Sequence, residues 1–230
     1  MDAPVGATTP SRSLLERWAP ITGTIFVALF VATLLLAGAK LDPGEKTPEI
    51  SRHFATNDYR NASIVALLLL LLSGAFFLWF LADLSATARA ISGGMLAFLI
   101  PISGVVFITS LIAGLATWVT PLFNVGHSQL AGADPTQTAA SYVLLTSVGF
   151  TLLTLAAVAG AILMGASAIN AYRGRLIPRW LALTAVVLAV VAGIGGIIFL
   201  IPGVLILLWV LVASIRRTML AARGALPTAN

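Results

Sequence analysis

The sequence predicts an all-α, polytopic transmembrane helical bundle of about six spans, with both termini on the inner side. Three observations carry this. The 230 residues are 59% hydrophobic and only 9% charged, with a mean hydropathy of +1.03, whereas soluble domains carry roughly 25% charged residues. The apolar residues fall in long unbroken runs. Lys and Arg are distributed unevenly between alternate connections. A soluble fold of this length needs many more charges to cover its surface. Six spans of about 20 residues would use most of the chain, so function must sit within the bundle or on its two longer loops.

The elements follow in order. Residues 1–20 read as a polar inner tail, in which Ser13-Leu14-Leu15-Glu16 forms a capping box. The first span is 21–39. Arg12 and Arg17 before it and Ala37-Gly38-Ala39 after it imitate a signal peptide, but the run is longer than the 7–15 residues of a signal h-region. We therefore read it as a retained span. The second is 64–84, and the third is 94–119, interrupted by Pro101, which removes a backbone donor and predicts a kink. The fourth is 139–169. The last apolar stretch, as one helix, would extend about 54 Å at 1.5 Å per residue. Gly193, Gly195, Gly196 and Pro202-Gly203 divide it into spans at 179–198 and 202–215 joined by a tight turn. Residues 216–230 complete the reading as an inner C-terminal tail.

Orientation comes from the basic residues. With the N-terminus inside, the inner segments hold Arg12, Arg17, Arg89, Arg173, Arg175, Arg179, Arg216, Arg217 and Arg223. The first outer loop holds Lys40, Lys46, Arg52 and Arg60, and the other outer loops hold none. That asymmetry favours both termini inside. The net charge of +5 reflects these helix-end arginines, not a nucleic-acid surface, and no nucleic-acid partner is expected. The chain has no cysteine, which excludes disulfides, thiolate metal sites, iron–sulfur clusters and cysteine nucleophiles.

Two outer segments carry candidate metal ligands. Thr47 as N-cap and Pro48 at the first helical position begin a short helix in the first outer loop. Glu49 and His53 then lie four apart on one face, with Ile50 and Phe54 on another. The second outer loop, 120–138, holds His127 and Asp134. His53 and His127 are the two histidines of the chain, and topology places both on one side. His53 and His127 with Glu49 or Asp134 are therefore a candidate set for a divalent ion such as zinc. The plainer reading of the first loop is an amphipathic surface helix resting Ile50 and Phe54 on the bundle.

Within the hydrocarbon region ionisable groups are nearly absent. Asp83 falls at the inner end of the second span and reads as a helix-end residue near Arg89. Ala157, Ala161 and Gly165, with Ala156 and Gly160 beside them, permit close helix approach within the monomer or, less simply, homodimerisation. Thr146, Ser147, Thr151 and Thr154 either line a polar pocket or bond back to helix carbonyls. Phe76, Phe77, Trp79 and Phe80 invite comparison with a haem or quinone box, but no histidine lies in a span to ligate haem. No cofactor is expected.

The Arg60-Asn61-Ala62-Ser63 entry to the second span, Phe77-Leu78-Trp79-Phe80-Leu81, Leu176-Ile177-Pro178-Arg179-Trp180-Leu181 and Leu208-Trp209-Val210-Leu211-Val212-Ala213-Ser214 together resemble a widespread group of uncharacterised multi-span integral membrane proteins of actinobacterial type. The resemblance implies a bacterial cytoplasmic membrane and a helical bundle, and brings no activity. The leading expectation is thus a non-enzymatic structural or accessory component, partnered by the lipid bilayer and by another membrane protein or a second copy of itself. The alternatives are a carrier or binder of a lipid or other apolar small molecule, using Pro101 and the Ser/Thr face of the fourth span, and a metal site on the outer loops.

Overall fold

A computed structural model describes residues 18–38, 57–92, 94–131, 135–194 and 200–223, with side chains over 18–36, 64–92, 94–117, 144–145, 147–194 and 203–223. Regular structure among these residues is entirely helical. A 3₁₀ turn, Ala19–Ile21, leads into α1 (Thr22–Gly38); then follow α2 (Asn57–Ser92), α3 (Met95–Ala131), α4 (Pro135–Arg173), α5 (Arg179–Ile194) and α6 (Leu200–Ala222). Among the described residues five helices contain a stretch long and apolar enough to cross a membrane: Ala19–Leu36, Ile64–Ser92, Met95–Thr117, Ser147–Arg173 and Gly203–Ala222. The sixth, α5, has 16 residues and extends about 24 Å, short of a hydrocarbon core of about 30 Å.

The helices outrun the boundaries expected from charge and proline. With 36, 37 and 39 residues, α2, α3 and α4 extend about 54–58 Å. Most of the segment 120–138, expected as a loop, is helical: α3 reaches Ala131 and α4 starts at Pro135. Proline at the first helical position has its fixed φ suited to the turn and lacks a donor that would be unpaired anyway. α3 also runs through Pro101 and Pro121 without ending, because a proline costs one ladder bond whereas ending the helix exposes several backbone groups. Likewise α6 continues to Ala222, through Arg216 and Arg217, where an inner tail was expected from 216 onward. Arginine, methionine, leucine and alanine are all strong helix formers; the charges mark where a helix leaves lipid, not where it stops.

Consecutive helices pack as antiparallel neighbours, most extensively α3 on α4 and α1 on α2, and α6 returns to touch α1, closing the bundle. At its centre Phe77 stacks at an angle against Phe26 and Phe107, with ring centroids 4.9 and 5.3 Å apart. Such tilted pairs suit the ring quadrupoles. Phe77 and Phe80 are thus core packing residues, fully buried. The small-residue stripe on α4 is also spent inside the bundle. A Cβ on Gly165 would stand 3.6 Å from Ala189 of α5, and one on Gly193 would stand 3.7 Å from Ala161. The buried face of α5 is made of Ala182, Ala185, Ala189 and Ala192. Its other face exposes Trp180, Leu183, Val187, Val190 and Ile194, a continuous apolar strip that suits lipid, not water.

Candidate functional site at the arginine-rich end

Hydrogen bonds bring together the ends that alternating topology places on one side. Ser92 at the end of α2 donates to Asn170 Oδ1 near the end of α4 at 2.6 Å. Arg216 Nε of α6 donates to the Leu176 carbonyl, between α4 and α5, at 2.8 Å. Ser214 of α6 accepts from the Thr24 backbone N–H of α1 at 3.0 Å and donates to the Pro20 carbonyl. Among the described side chains the charged groups are Asp83 and seven arginines: 89, 173, 175, 179, 216, 217 and 223. All eight lie at this end.

The one ion pair among the described residues joins α2 to α6. Arg217 donates to Asp83 Oδ2 through Nη2 at 2.6 Å and through Nε at 3.0 Å. Nη2 also reaches Thr87 Oγ1 at 2.6 Å and the Asp83 carbonyl at 3.2 Å. The side chains are 7% exposed for Arg217 and 19% for Asp83. Asp83 therefore pairs across the bundle and not with Arg89, whose Nε instead faces the Ser85 carbonyl at 3.4 Å. Six residues turn a helix by about 600°, which puts Asp83 and Arg89 on different faces, whereas the four residues to Thr87 bring it nearly in line. Sequence reasoning placed Arg217 in a tail and missed it. The signal was present: Ile206, Val210, Ser214 and Arg217, spaced 4, 4 and 3, form the buried face of α6.

The turn after α4 is tied by a double C-cap. Arg175 N donates to Tyr172 O at 3.0 Å and Leu176 N to Ala171 O at 2.9 Å, the bond pair of a Schellman motif. Arg175 occupies its left-handed position, with φ 55°, where glycine is usual and an L-residue is strained by about 1–2 kcal/mol. Arg175→Gly should accordingly raise unfolding stability by about 1 kcal/mol, read as a higher midpoint in detergent. An unchanged or lower midpoint would show that Arg175 makes compensating interactions.

Beside this turn, α4, α5 and α6 leave a partly open recess of about 40 Å³. Leu181, Val212 and Leu220 contribute to its apolar wall, and Ser167, Trp209, Arg216 and Arg217 also line it. Trp209 Nε1 donates to Ser167 Oγ at 2.9 Å, and Ser167 donates to the Met164 carbonyl, so the polar atoms there are partnered. The proposed Ser/Thr lining of the fourth span lies elsewhere: Thr151 and Thr154 bond back to the Ser147 and Phe150 carbonyls, and the Thr146 side chain is outside the described set. Of the candidate metal ligands, Glu49, His53 and Asp134 lie outside the described residues; His127 is on the helical backbone of α3, its side chain undescribed. No family model, curated protein or solved structure matches this chain.

Proposed function

We propose that the protein is a non-enzymatic structural or accessory component of a bacterial cytoplasmic membrane, with both termini inside and its arginine-rich end against the anionic inner leaflet. Among the described side chains, the gathering of seven arginines and one aspartate at one end of an apolar bundle carries this reading. Each basic residue near an anionic surface contributes about 1 kcal/mol of attraction. Buried and half-buried polar side chains support it too, since Asp83, Arg217, Thr24 and Ser214 are engaged in tying helices together.

The absence of native cysteine makes sidedness directly measurable. A single cysteine at exposed Arg175 should react with an impermeant maleimide in inverted vesicles and stay unlabelled in intact cells. Labelling of intact cells would reverse the orientation. The accessory role predicts a membrane protein that co-purifies reproducibly in mild detergent; a chain that always emerges alone would count against it. The recess favours a second reading, a binder of lipid, at the inner end of α4–α6 and not at Pro101.

A further inference from the structure

We infer that the recess between α4, α5 and α6 is a site for one anionic phospholipid, its phosphate on Arg216 and its first acyl methylenes lying along α6 towards Trp209. The inference rests on the lipid-binding reading and names the lipid class and the residues.

Three observations converge. First, the recess is lined mostly by apolar side chains, yet two arginines are among its lining residues. Arg217 is committed to Asp83 and Thr87. Arg216 is not: it is half-buried, and of its five N–H donors the bond among described residues uses Nε alone. Its remaining donors form a fork suited to a phosphate, which arginine binds in bidentate fashion. The described residues supply no acidic partner for it, since their one carboxylate belongs to Arg217.

Second, the recess has the polarity gradient of a lipid. Seven residues separate Arg216 from Trp209, about 10 Å along the helix axis. Charge lies at one end and an indole with its N–H already bonded to Ser167 at the other, so the deep part asks for hydrocarbon. A free phosphate would leave the apolar wall bare, and a neutral lipid would leave the guanidinium donors unmet. Basic pockets between helices at the inner side are known sites for anionic headgroups.

Third, the geometry at the rim is held in place. Arg216 is anchored by the carbonyl of Leu176, whose N–H donates in the double C-cap after α4. The rigid turn therefore fixes the guanidinium before the lipid arrives, and less ordering entropy is lost on binding.

Native mass spectrometry of the full chain in mild detergent tests this, because sidedness has no part in the measurement. Phosphatidylglycerol should be retained at least about tenfold more strongly than phosphatidylcholine, the scale of a charge-assisted contact. Glycerol 3-phosphate and inorganic phosphate should not compete at matching concentration. Arg216→Gln should abolish the preference, and Arg89→Gln, a charge change at a residue that does not line the recess, should preserve it. Val212→Trp fills the mouth from the lipid side and should lower retention of phosphatidylglycerol without touching a charge, which decides the matter if Arg216→Gln does not fold. Equal retention of both lipids would overturn the anionic site while leaving a general lipid binder standing. Equal retention by the parent and Val212→Trp, or effective competition by inorganic phosphate, would overturn the recess as the lipid site.

Discussion

Asp83→Leu is expected to destabilise the bundle by about 3–5 kcal/mol, the usual cost of removing one member of a buried ion pair. Arg217 is left with a guanidinium whose side chain is 7% exposed and which cannot shed its proton. Thr87 and the Asp83 carbonyl offer neutral acceptors but no opposing charge. Arg217→Met should cost less, because the stranded carboxylate is more exposed, at 19%. The double variant Asp83→Leu/Arg217→Met should recover most of the loss, since a well-packed apolar pair of similar volume often matches a buried ion pair. Unfolding in one detergent, followed by tryptophan fluorescence, measures all three. If the single variants add without recovery, the pair is not the coupling between α2 and α6.

Gly23→Leu should cost about 3 kcal/mol, and even Gly23→Ala should lower stability, although alanine is the better helix former by about 1 kcal/mol. A Cβ at Gly23 would lie 2.9 Å from both the Phe80 ring and Ser214 Cβ. Phe80 and Ser214 are fully buried, and Ser214 Cβ, next to its own backbone, has no room to yield. The crossing of α1, α2 and α6 must then open, and overpacking of this kind costs about 1–3 kcal/mol or more. The bond from the Thr24 N–H to Ser214 and the bond from Ser214 to the Pro20 carbonyl would lengthen with it. Gly203→Ala is the control: among the described residues nothing lies within 4 Å of the added methyl, so the propensity gain of up to about 1 kcal/mol should appear. Stabilisation by Gly23→Ala would mean that α1 does not seat against α6 as closely as described.

Much of the bundle was legible because lipid makes each span declare itself. Long apolar runs located α1, α2, α3 and α4; of the breakers expected between the last two spans, Gly193 lies within α5 and Pro202-Gly203 within the first turn of α6. The ends were less legible. Charges at 83, 89, 216 and 217 suggested boundaries, and the segment from 120 was expected as a loop, yet backbone hydrogen bonding carries the helices past them. The Asp83 partner was misread for a related reason: Arg89 is near in sequence but on another face.

The sequence by itself determined that this is an all-helical bundle, which runs are apolar enough to cross a membrane, and which end gathers the arginines, because the transfer of apolar and charged groups depends on composition and order alone. Tertiary structure decided that Arg217 and not Arg89 meets Asp83, that the small residues of α4 seat α5 and α6, and that an apolar recess opens beneath Arg216. Those outcomes depend on which helix faces meet, and a contact between residues 134 positions apart is fixed by packing angles that no local pattern encodes.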